Sequence, residues 1–194
     1  MANHVDTYIT IHNIDENIKS ELKRMFEYDS SVGQLGGVEL INRVYKTTFT
    51  WNPSLTHEEN TAEGNTLPDL EWMYENVGSK WIFVETFDID DDTSTVSLST
   101  AWSFPEPFVQ KLTNILTQIK SDVYLSGLYE DEGFDPVGAF VFGHDYDDVE
   151  DFDHEYESDE VWEDDDVREK FYDELNTLRD ELVESYLDFI EDTE

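Results

Sequence analysis

Apolar and polar positions along the chain follow two periods, and the switches between them mark out elements. In Val5-Asp-Thr-Tyr-Ile-Thr-Ile11, Val5, Ile9 and Ile11 share one side of an extended segment, which predicts a strand. Ile14, Ile18, Leu22, Met25 and Phe26 then recur at helical spacing, with Asn13 as the cap and Glu16 three places on. Residues 29–79 are less regular. Ser30, Ser31, Gly33, Gly36 and Gly37 mark a loop, 38–51 is apolar without a clear period, and 52–66 reads as an exposed polar loop. Leu67-Pro68 opens a short helix with Leu70, Met73, Tyr74 and Val77 on one side and Gly78 as its stop.

Residues 80–89 predict a strong strand, Asp90-Asp-Asp-Thr93 a turn, and 95–102 the second strand of a hairpin. Ser103-Phe-Pro-Glu106 has the capping-box pattern ahead of a helix whose buried stripe is Phe108, Leu112, Ile115, Leu116 and Ile119. Further strands are expected over 122–130 and 137–142. Without the insertion at about 29–79 and the last strand, the order is βαββαβ. The predicted fold class is therefore α+β: a ferredoxin-like split antiparallel sheet with helices on one face. Its other face stays open unless something packs there. Near the end, Val167, Phe171, Leu175, Leu178, Leu182, Tyr186 and Phe189 recur at steps of three and four, a clean amphipathic helix. It is expected to pack on the open sheet face or on a second copy of the chain.

Charge changes this picture in one region. The 194 residues carry 48 Asp+Glu against 11 Lys+Arg, a formal net charge of −37. Half of the carboxylates fall in the last 50 residues, among only three bases. The divisions expected are a globular domain over 1–143, an acidic connector over 144–166 and an acidic amphipathic helix over 167–194. The connector holds 14 acids in 22 residues from Asp145 to Asp166, too polar to offset its ordering entropy, and so is expected to be mobile or extended. A basic nucleic-acid binder is excluded as a simple reading, because phosphate contacts need clustered Lys and Arg. Attachment to anionic lipid is disfavoured on the same ground. No Cys is present, which excludes disulfides and thiolate metal sites. The first residues lack a basic start and an apolar run, so no signal peptide is expected, and no apolar run is long enough for a bilayer. A cytoplasmic protein is the default expectation, in the host cytoplasm if the chain is viral.

Four segments carry a family resemblance: Met1-Ala-Asn-His with the strand and helix after it, Gly78-Ser-Lys-Trp81, Ser99-Thr-Ala-Trp-Ser-Phe-Pro105, and the stretch from Gly133 to Phe140. Together they resemble the Api-like family of uncharacterised phage- and plasmid-encoded proteins with a ferredoxin-like domain. The resemblance covers roughly 1–28 and 67–143 and leaves the acidic tail outside. It implies a ferredoxin-like fold and a mobile-element origin. It implies no reaction, and no active-site residues carry over. Iron–sulfur chemistry is not implied, since that needs Cys.

Candidate chemistry is sparse. Asp88-x-Asp90-x-Asp92 opens like an EF-hand loop, but Thr93 stands where Gly is required and Ser99 where Glu closes the loop, so a solvated turn is the better reading. None of His4, His12, His57, His144 and His154 forms a ligand pair at metal spacing. Trp81 and Trp102 read as core or junction residues. With so many acids, close carboxylate pairs arise by chance and identify no hydrolase. No catalytic residue, cofactor or metal site is assigned, and the chain is read as not an enzyme.

The acidic tail is the exception. Glu169/Asp173, Asp180/Glu184 and Glu184/Asp188 are like-charge pairs at i,i+4, and only Asp164/Arg168 and Asp166/Lys170 are favourable there. A surface built only for solubility intersperses the signs. Residues 167–194 hold 10 acids along about 42 Å of helix. One DNA strand sets about 12 phosphates along that length, so a DNA mimic is conceivable. Aromatics in the connector can hold Lys or Arg by cation–π contact. The expected partner is a basic protein surface that ordinarily binds nucleic acid; neither direct nucleic-acid contact nor membrane is expected, and a homo-oligomer is compatible. The candidate partner-binding residues are Asp145, Asp147, Asp148, Glu150, Asp151, Asp153, Glu155, Glu157, Trp162, Glu169, Asp173, Asp180, Glu184 and Asp188. The alternatives are a divalent-cation binder using the carboxylate-rich segment and a salt-adapted protein with no such partner.

Overall fold

Alternate residues of β1 (His4–His12) are buried: Val5, Thr7, Ile9 and Ile11. That two-residue period commits one side of the strand to a core and leaves the other free. The computed structural model describes residues 3–28, 35–52, 54–156, 161 and 163–193. In it β1 is the central strand of a seven-stranded antiparallel sheet. The others are β2 (Leu35–Gly36), β3 (Ile82–Ile89), β4 (Thr93–Ala101), β5 (Tyr124–Asp131), β6 (Val137–Gly143) and β7 (Tyr146–Asp151). Their order across the sheet is β2-β3-β4-β1-β5-β6-β7. The pairing of Ile9 with Val96 and Gly127 fixes the register, and a one-residue slip would turn every apolar side chain to the wrong face.

The Val5–Ile9–Ile11 face carries the main core. Ile18, Leu22, Met25 and Phe26 of α1 (Glu16–Phe26) cover it, together with Phe108, Val109, Leu112 and Leu116 of α5 (Glu106–Thr117). The insertion after α1 supplies α2 (Gly37–Tyr45), α3 (His57–Ala62) and α4 (Leu70–Asn76), and Leu40, Ile41, Val44 and Met73 join the same core. The class is α+β. Among the described residues no helix is long and apolar enough to cross a membrane.

The second face is divided. Over β5 and β6 it is apolar, and α6 (Asp165–Thr193) lies on it: Tyr124, Ala139 and Val141 pack with Leu182 and Tyr186, and Phe134 and Val137 with Phe171 and Leu175. Gly143 permits this approach, because a Cβ there would stand 2.4 Å from the Tyr186 ring. Over β1, β4 and β3 the same face is polar. Tyr8, Thr10, Thr86, Thr95 and Ser97 lie there at least partly exposed, with the hydroxyls of Thr86 and Ser97 2.7 Å apart. The terminal helix thus packs on its own sheet.

Several local expectations are corrected. Residues 146–151, inside the stretch read as a mobile or extended connector, form β7. Their order comes from pairing with β6 and from Tyr146, Val149 and Phe152, which reach apolar neighbours despite the acids between them. The cap of α1 is Asp15, whose Oδ1 accepts from the backbone N–H groups of Asn17 and Ile18 at 2.9 Å; Asn13 instead takes a left-handed turn conformation. Ser103 makes no capping box and donates to the Gly78 carbonyl at 2.6 Å. The polar stretch 52–66 contains α3, which has a true capping box between Thr56 and Glu59. Of the core and junction positions expected for Trp102, it takes the junction: it follows β4 and is 48% exposed, with Lys80 Nζ 5.4 Å from its ring centroid. Ser30, Ser31 and Gly33 lie outside the described residues.

The docking of α6 is directly testable. Phe171 is fully buried, its ring 4.8 Å from Phe134 and 5.3 Å from His154. Phe171→Ala is expected to lower the unfolding free energy by about 3–5 kcal/mol. Urea denaturation measures it, and a loss under about 1 kcal/mol would show that the helix is not part of the core.

Candidate partner-binding surface

Geometry on α6 follows from its period. Phe171, Leu175, Leu182 and Tyr186 are buried, which turns the opposite side of the helix to solvent. Glu169, Asp173, Asp180, Glu184 and Asp188 all lie on that outer side and are exposed. The helix therefore brings these five predicted residues into one stripe.

Its cations do not neutralise that stripe. Arg168 pairs with Asp165, Lys170 with Glu174 at 3.5 Å, and Arg179 with Asp180 at 2.7 Å. Asp164/Arg168 and Asp166/Lys170, the pairs expected from spacing, are replaced by these. Asp164 instead accepts from the backbone N–H groups of Asp166 and Val167, next to the start of the helix. Among the described residues, only Asp180 of the outer stripe meets a cation, and it does so through its neighbour in sequence.

The acids before the helix are not on the same stripe. Asp145 sits in the β6–β7 turn in a left-handed conformation, 3.0 Å from His144 Nδ1. Alternation along β7 sends Asp148 and Glu150 to the side of the sheet that carries α6, and Asp147 and Asp151 to the opposite side. Asp151 is already engaged, accepting from the Tyr129 hydroxyl at 2.5 Å. Asp153 and Glu155 follow β7 as exposed residues. The structure therefore divides the predicted set into an α6 stripe and a β7 edge. Glu157 and Trp162 lie outside the described residues.

Sequence reasoning missed a group where α6 meets β5 and β1. The Tyr172 hydroxyl donates to the Glu130 carboxylate, at 2.9 Å from one oxygen and 3.1 Å from the other, and the Tyr8 hydroxyl lies 3.4 Å away. Burial pushes the Glu130 carboxyl above the usual glutamate range, the Tyr172 bond opposes that, and the Asp6 charge adds to it. Burial, with Glu130 next, pushes the Tyr8 phenol up to about 12. Nearby, His12 stacks on Tyr124 at 4.3 Å, with Nε2 2.9 Å from Ser126 Oγ. Burial first, and then the charge of Arg179, lowers its pKa. Only the alternation of β1 and β5 hinted at this group, by placing Tyr8 and Glu130 on one face.

Among the described residues no group of three or more His, Asp or Glu side chains is placed to hold an ion. The Asp88–Asp92 stretch forms the end of β3 and the hairpin turn, closed by Asp90 N–H on the Thr93 carbonyl at 2.9 Å.

Comparison with known families finds one match. The model of a ferredoxin-like domain in Api92-like protein matches residues 82–174, just under half of the chain. The similarity runs from β3 into the first turns of α6, so the acidic stretch after β6 lies inside it and not beyond it. Residues 1–28 lie outside the matched range. No curated protein and no solved structure matches the chain.

Glu130 yields a pH prediction. A glutamate whose folded pKa is raised holds its proton more tightly in the native state than in the unfolded chain. Stability therefore falls as pH rises from the ordinary glutamate value through the raised one. Glu130→Gln removes that loss, so its stability relative to wild type is expected to grow with pH across the window. Urea midpoints of both proteins between about pH 4 and pH 8 measure this, and a pH-independent difference would refute it.

Proposed function

We propose that the chain is a non-enzymatic acidic binding protein of phage or plasmid origin that engages a basic, nucleic-acid-binding surface on another protein. Its body is a split βαββαβ ferredoxin-like unit formed by β1, α1, β3, β4, α5 and β5. Behind it, β6 and β7 extend the sheet and α6 covers the extension. One observation carries the reading. The apolar side of α6 is fixed to the sheet, while its outer side presents Glu169, Asp173, Glu184 and Asp188, none of them paired to a cation among the described residues.

Fixing the helix matters energetically. Anionic groups on a rigid support need no ordering when a partner arrives, whereas those on a disordered tail do. The partner's Lys and Arg side chains meet five acids along about 28 Å of helix, somewhat over half the linear charge density of one DNA strand. Such complementarity raises the association rate and weakens steeply with salt.

Replacing Glu169, Asp173, Asp180, Glu184 and Asp188 by the corresponding amides tests the reading. The wild-type chain is expected to retain a basic protein at about 0.05 M salt and release it at about 0.5 M, where screening is severe, or on addition of duplex DNA. The amide variant is expected to lose that retention while its melting temperature rises, because the like-charge pairs are gone. Retention that ignores both salt and the five replacements would refute the proposal.

A further inference from the structure

We propose that the free edge of β7 takes up an extended basic segment of the partner as an eighth strand. This rests on the acidic-binder reading and specifies how that partner is held. β7 ends the sheet, and its ladder to β6 runs with one register from Gly143↔Tyr146 to Gly138↔Asp151. Phe152 continues it, its N–H bonding to the Val137 carbonyl at 2.8 Å. Backbone direction alternates in such a ladder, so Tyr146, Asp148 and Glu150 turn their N–H and C=O groups toward β6. Those of Asp147, Val149 and Asp151 point away from the sheet, and no described residue bonds to them. The opposite edge differs, since β2 covers β3 at Phe83 and Val84.

An edge of this kind is a template for strand addition, and its side chains decide what is admitted. An incoming strand meets Asp148 and Glu150 on one face and Asp147 and Asp151 on the other. A second copy of β7 would set carboxylate against carboxylate, which is destabilising between facing strands. A neutral strand would bury acid side chains against apolar ones. A segment rich in Lys and Arg meets opposite charge on both faces, while its backbone completes the three outward donors and three outward acceptors. The occupant is therefore a basic segment in extended conformation.

The probes are a short peptide alternating Lys and Val, the same peptide N-methylated at every second residue, and an alternating Glu–Val peptide, each added to the full-length chain. Hydrogen exchange at Asp147, Val149 and Asp151 is expected to slow about tenfold with the Lys–Val peptide alone, in a salt-sensitive manner. Val149→Pro removes an N–H that points outward, a position that tolerates proline, and is expected to weaken the Lys–Val peptide about tenfold while the β6–β7 ladder persists. If both Lys peptides bind equally and those three amides stay unprotected, strand addition is overturned and the acidic reading stands. If neither Lys peptide binds at low salt, the acidic reading fails and strand addition fails with it.

Discussion

Contact between the apolar stripe of α6 and the second face of β5 and β6 determines most of what is distinctive in this molecule. A sheet with helices on one face only must leave its other face polar or cover it. Here each solution serves part of the sheet. Hydroxyls and Tyr8 occupy the face over β1, β4 and β3, while Ala139, Val141, Val137 and Leu128 make it apolar farther along, where Phe171, Leu175, Leu182 and Tyr186 come down on it. The Gly143–Tyr186 contact shows how close the fit is, since even a methyl group at position 143 would collide with the ring.

That contact determines where the charge can go. With one side of α6 committed to the sheet, the acids of its outer side stand on a fixed support. Their three i,i+4 repulsions cost together about 1 kcal/mol. Full burial of each of the four apolar side chains is worth about 1.5–3 kcal/mol. Burial wins several-fold, so the helix holds its place against its own charge. The same comparison explains β7: two or three aromatic or aliphatic anchors and a hydrogen-bonded ladder outweigh the acids that alternate with them.

Legibility from sequence followed this balance of forces. The 3.6-residue period of α6 and the two-residue period of β1, β3, β4 and β5 were readable because burial on one face leaves a regular mark. The five outer acids of α6 were readable for the same reason, as the complement of that mark. β7 was hidden because its acids dominate any measure of composition, and the apolar residues that anchor it, Tyr146, Val149 and the following Phe152, fall at steps of three, off the two-residue period of a strand. Asp15 displaced Asn13 as the cap of α1 because two plausible caps stood two residues apart and only the entering chain direction chooses between them. The group at Glu130 escaped notice because it joins β1, β5 and α6, three elements far apart in sequence; single-segment patterns carry no information on such a meeting.

Glu130 also shows that the acids of this chain are of two kinds. Most of those on the outer side of α6 are exposed and repel one another through solvent. Glu130 is partly buried and satisfied by two phenols, and one of these, Tyr172, belongs to the helix whose docking it adjoins. A carboxylate so placed costs desolvation that the phenol bonds offset only in part, which is why its proton is held above the usual range. An apolar residue there would avoid that cost, but it would leave Tyr172 without an acceptor at the margin of the buried stripe. The hydrogen bond thus sets the position of α6 along β5 in a way that apolar contact, being non-directional, does not. Fixing that position also fixes the outer stripe relative to the edge of β7, so the two acidic surfaces keep a constant spacing.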